Sequence, residues 1–74
     1  MPKLPVLTSR DVIRILGKRG FLLDRVKGSH HIYIHPDTRQ RAIVPVHRGD
    51  IPQGTLLSIL KQAGIDRDEL DALL

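Results

Sequence analysis

The period of the apolar residues changes twice along this chain. Val12, Ile15 and Leu16, widened by Ile13, recur at helical spacing, and Leu56, Ile59, Leu60 and Ala63 do so again, so each set lines one face of a helix. Between them lie three short runs, 21–26, 30–35 and 41–44, rich in strand-favouring residues and broken at Gly28 and at Pro36-Asp37. Neither an apolar helix stripe nor an apolar sheet face can be buried alone. The order therefore predicts an α+β domain: a three-stranded antiparallel sheet, since the connections are short, with both long helices on one face.

The ends of these elements are marked. Thr8-Ser9-Arg10-Asp11 offers a hydroxyl for an orphan N–H and an acid in the first turn. Lys18 and Arg19 precede Gly20, which suits the left-handed position after a helix, so the first helix is expected over about 9–19. Pro45 closes the third strand because it has no ladder donor. His47-Arg48-Gly49-Asp50 reads as loop, Pro52 stands in the first turn of the second helix, and Gly64 ends it. Asp66-Arg67-Asp68-Glu69 has capping-box spacing ahead of Leu70, Leu73 and Leu74, a short terminal helix over 66–74. With a proline-containing leader over 1–7, no repeat and no linker, the 74 residues make one domain.

Composition narrows the function. Aromatics are 3% of the chain, only Phe21 and Tyr33, so Leu, Ile and Val must build the core and base stacking on rings is not the main mode of recognition. The formal charge of +4 and a pI near 10.1 favour an anionic partner, RNA above all. Without cysteine there are no disulfides and no thiolate metal sites, which suits the cytoplasm. No apolar run approaches the ~20 residues of a membrane helix, and Met1-Pro2-Lys3-Leu4-Pro5 has no signal-peptide core, so a soluble, unprocessed chain is expected.

Four histidines carry the chemistry. Lys27-Gly28-Ser29-His30-His31-Ile32-Tyr33-Ile34-His35 sets a glycine turn and adjacent imidazoles at the mouth of a strand, and imidazole exchanges a proton near neutral pH. Alternation groups His30 with Ile32 and Ile34, and His31 with Tyr33 and His35. With the isoleucines against the helices, His31, Tyr33 and His35 fall on the open face, and His30 sits half sheltered at the sheet edge. On spacing alone the structural reading is the commoner one for each: His30 bonded to a turn carbonyl, and, more strongly, His31 and His35 as ordinary polar residues of an open face. His47 follows the third strand in a basic loop, where phosphate contact competes with solvation. A metal is not expected: His31 and His35 are four apart, about 13 Å along a strand, too far for one ion. Ser29 beside His30 has no local acid to orient the imidazole, so a triad is weakly supported. The acids Asp66, Asp68, Glu69 and Asp71 read as helix-dipole partners. Arg25 and Lys27 just before Gly28-Ser29-His30 are placed to clamp a phosphate beside the imidazole.

Lys27-Gly28-Ser29-His30-His31-Ile32-Tyr33, then His35-Pro36-Asp37, then Val44-Pro45-Val46-His47, and finally the run from Gly54 to Ile65, together resemble the HicA toxin family of type II toxin–antitoxin systems. The resemblance covers about 8–66. It implies a double-stranded-RNA-binding-domain-like α-β-β-β-α fold and an mRNA interferase, an endoribonuclease that blocks translation and is neutralised by a HicB-type antitoxin. The family's functional histidine falls on His30, with His31 the adjacent candidate. The expected mechanism needs no metal or other cofactor. The RNA 2′-hydroxyl attacks the adjacent phosphorus, His30 serves as general base or acid, and Lys27 with the Gly28 and Ser29 N–H groups meets the phosphate. Arg25, His47 and Arg48 complete the expected phosphate contacts, and Ser29, His31 and Tyr33 are the groups near enough to assist. The rival reading is a non-catalytic module of the same fold that grips RNA by shape.

Overall fold

The computed structural model describes residues 4–74. It runs α1 (Ser9–Lys18), β1 (Leu22–Lys27), β2 (His30–Ile34), β3 (Arg41–Pro45), α2 (Gln53–Ala63) and α3 (Arg67–Leu73). The first helix and the three strands lie within one residue of their expected bounds. Thr8 is the N-cap of α1: its hydroxyl accepts from the Asp11 N–H at 3.2 Å, and the Asp11 carboxylate accepts from the Thr8 N–H at 3.0 Å. Ser9 is thereby freed for another partner. At the far end Gly20 takes φ +98°, its N–H reaches the Gly17 carbonyl, and the Phe21 N–H reaches the Leu16 carbonyl. This paired closure satisfies orphan carbonyls and drops Phe21 into the core. A Cβ on Gly20 would stand 3.0 Å from the His35 ring, so glycine is required there twice over.

The sheet is antiparallel in the order β1-β2-β3. Tyr33 pairs with Ala42 and His31 with Val44, while Ile32 pairs with Ile43 and His30 with Pro45. The helices cover the face that carries Tyr33, Ala42 and Val44, all buried with Val12, Ile15, Leu16, Leu56, Ile59 and Leu60. The expected facing is thus reversed: the isoleucines of β2 lie on the open face, and His31 and Tyr33 lie beneath the helices. Alternation says which residues share a face, not which face is buried. Here small Ala42, fully buried, leaves room opposite it for the Tyr33 ring, which is 7% exposed. His30 is correspondingly exposed rather than half sheltered.

The connection before α2 is pinned to the N-terminal segment, where Thr8 bridges Asp50 and the Ile51 N–H reaches the Leu7 carbonyl. Leu7 is buried and Leu4 packs against the core, so the described part of the leader belongs to the domain. Its first three residues lie outside the described ones. At α3 the Asp66 carboxylate accepts from the Glu69 N–H at 2.8 Å. The box is left half closed, because Glu69 turns to Arg19 instead, at 2.9 Å. No helix among the described residues is long and apolar enough to cross a membrane.

Candidate functional site

The two-residue turn between β1 and β2 builds the site. Lys27 pairs with His30 across it, Gly28 takes φ +58° and Ser29 does not follow into positive φ. That sign pattern is the one that matches strand twist when glycine comes first, a type II′ arrangement. It sets His30 at the head of β2 on the open face, with Lys27 on one side and Pro45 on the other. A groove of about 490 Å³ runs from there between β3 and α2. His30 and His47 both line it, with Ile43 and Pro45 along the sheet side and Thr55, Ser58 and Gln62 along the helix.

Two hydrogen bonds hold the histidine-bearing segments together. The Val46 N–H donates to the Ser29 carbonyl at 2.7 Å, tying the turn before His30 to the strand end before His47. From the other side the Ser9 hydroxyl, buried at 4% exposure, donates to the Pro45 carbonyl at 2.9 Å and lies 3.5 Å from the His47 carbonyl. A hydroxyl at a helix start is ordinarily assigned to capping, so this role of Ser9 has no signal in the sequence.

The expected site residues are divided among four places. His30 and His47 line the groove, and Lys27, Gly28 and Ser29 form the turn that leads into His30; among the described residues Lys27 has no ion pair, and the turn N–H groups have no backbone partner. Arg25 lies on the open face beside Ile32, bound to Asp24 at 3.3 Å. Arg48 lines a second recess, about 400 Å³, with Arg10 and Thr8, and His47 borders both. His31 is separated from His30 by the sheet itself, on the face opposite the groove. His35 serves the β2–β3 connection: its Nδ1 accepts from the Asp37 and Thr38 N–H groups, each at 3.2 Å, and its ring stands edge-on to Phe21 at 5.3 Å.

Burial pushes the Tyr33 phenol above its ordinary value of 10.0, so it stays protonated at neutral pH; lying beneath the helices, it is no helper to His30. Thr55, Ser58 and Gln62 are absent from the sequence reading. Their i, i+3, i+7 spacing is a polar stripe beside the apolar one. That periodicity was legible; the closing contact was not. The Gln62 Oε1 accepts from the Ile43 N–H at 3.1 Å, covering the edge of β3. The groove offers two imidazoles, with an ammonium and unengaged amides in the turn that leads into His30, a set suited to moving protons on a bound phosphate ester.

A family model described as the HicA toxin of bacterial toxin–antitoxin matches residues 9–65. No curated protein matches the chain. The matched span begins at the first residue of α1, ends just past α2, and contains every residue of the groove. With that span covering most of the 74 residues, the chain belongs to the HicA toxin family.

Proposed function

We propose that the protein is a metal-independent endoribonuclease that cleaves mRNA to block translation and is neutralised by a HicB-type antitoxin. The observation that carries this reading is the convergence of His30 and His47 on one groove. RNA cleavage through its own 2′-hydroxyl moves two protons. One imidazole takes the 2′-hydroxyl proton as O2′ bonds to phosphorus; the other protonates O5′ as the P–O5′ bond breaks, leaving a 2′,3′-cyclic phosphate and a 5′-hydroxyl. Both protons then have a carrier on the protein, and no metal-bound hydroxide is required. The Lys27 ammonium and the turn N–H groups meet the charge on the non-bridging oxygens. An antitoxin seated over the groove would exclude RNA directly.

Labelled RNA incubated in EDTA tests this. The parent is expected to cut, and His30→Ala to lose about 10²-fold or more, the scale of acid–base assistance. His47→Ala loses activity on a similar scale, while His31→Gln, altered on the opposite face, retains it. Full cleavage by a folded His30→Ala protein would refute the mechanism. Binding without cleavage by the parent would make the protein a non-catalytic RNA module instead.

A further inference from the structure

We infer that the α2 wall of the groove reads a nucleobase, with the Gln62 side-chain amide donating to the base edge; this deepens the RNA-cleaving reading and rests on it. The orientation of that amide is not arbitrary. A backbone N–H can only donate, so the group that meets Ile43 N–H at 3.1 Å is Oε1. The Nε2 donors are left without a protein partner among the described residues. Thr55 and Ser58 stand on the same wall, their hydroxyls also uncommitted among the described residues. Opposite them Ile43 and Pro45 give an apolar floor, on which the face of a base can lie in a groove that has no Phe, Tyr or Trp. About 490 Å³ falls within the ~300–1,000 Å³ of small-ligand clefts. His30 lines the same groove, so a base seated on α2 brings its own nucleotide's phosphate toward the imidazole.

A fixed donor selects acceptors. Guanine and uracil present keto oxygens where adenine and cytosine present amino groups. Gln62 therefore favours keto bases, and Gln62→Glu inverts the preference. The variant keeps an oxygen for the Ile43 N–H but turns an acceptor toward the base. Thr55 and Ser58 serve either partner, since a hydroxyl both donates and accepts.

The test is a titration of ¹⁵N-labelled protein with GMP, UMP, AMP, CMP and ribose 5-phosphate, followed by NMR of the Gln62 side-chain amide, with RNA cut sites mapped in parallel. GMP or UMP is expected to shift that amide and to bind about threefold to tenfold more tightly than AMP or CMP, the scale of one net hydrogen bond. Ribose 5-phosphate leaves it unmoved. Gln62→Glu, with an unchanged circular dichroism spectrum, reverses the ranking and moves the cut sites. Equal response to all five ligands, or an unchanged ranking in the variant, overturns the inference. The titration needs no turnover, and its parent arm needs no variant. A parent that ranks the bases without cutting RNA would refute the nuclease while sustaining the base-reading site.

Discussion

Asp11 shows how one side chain serves both the fold and the placement of the site. Its carboxylate closes the α1 cap over Thr8, and the start of α1 also holds Ser9 against the Pro45 and His47 carbonyls. The Thr8 N–H bond, reinforced by the Thr8 hydroxyl and by Arg14 and Arg10, holds the Asp11 carboxyl below its ordinary value of 3.8. A carboxyl lowered on folding contributes stability that is fully present above the unfolded value and is lost as pH falls through the folded one. Asp11→Asn keeps the shape and removes the charge. Its thermal midpoint should fall below the parent's at pH 7, and the gap should narrow as pH drops below 3.8, where the parent's own carboxyl protonates. A gap of constant size across that range would show that charge plays no part in the cap.

At the scale of elements, α3 is held by one buried side chain rather than by its charges. Leu70 is fully buried, whereas the Arg19–Glu69 pair is about 39% exposed on both sides. An exposed pair is worth roughly 0–1 kcal/mol, and truncating a buried leucine costs about 2–5 kcal/mol. A domain of this length has a total stability of only ~0.05–0.15 kcal/mol per residue. Leu70→Ala should therefore bring the urea midpoint down by a large fraction, and Glu69→Gln should shift it little; comparable losses would mean that the ion pair docks the helix. The order of elements and their ends were legible because caps and left-handed glycines act locally: Thr8, Asp11 and Gly20 do what their positions imply. The buried face of the sheet was not, since it turns on Tyr33 meeting Ala42 across the ladder. The Gly28-Ser29 turn that sets Lys27 opposite His30 was legible for the same local reason. Ser9 and Gln62 were hidden because each binds a backbone group of a segment distant in sequence, Pro45 and Ile43.

Over the whole molecule, charge is separated along α1. Its N-terminal end adjoins the recess of Arg10, His47 and Arg48, while its C-terminal end carries Lys18 and Arg19 against α3, the helix of Asp68, Glu69 and Asp71. Ten residues of helix span about 15 Å at ~1.5 Å per residue, more than the ~10 Å over which exposed charges act at 0.1 M salt. On the proposed RNA-cleaving reading, the acidic end thus lies too far along the helix to weaken a polyanion's hold on the basic one. On the same reading, phosphate contacts fall to Lys27, Arg41 and Arg48, unpaired among the described residues, with Arg48 in the recess that shares His47 with the groove. Three such contacts give a slope of about −2 for log affinity against log salt, at ~0.7 per phosphate of single strand. Measured with single-stranded RNA in the His30→Ala background, where cleavage is expected to be slowed, Arg48→Ala should flatten that slope by about 0.7 and weaken all sequences alike. Asp71→Asn should leave both slope and affinity unchanged at 0.1 M salt. A slope near zero would deny the groove any phosphate contact. An effect of Asp71→Asn equal to that of Arg48→Ala would mean that RNA reads the net charge of the molecule rather than the cations beside His30 and His47.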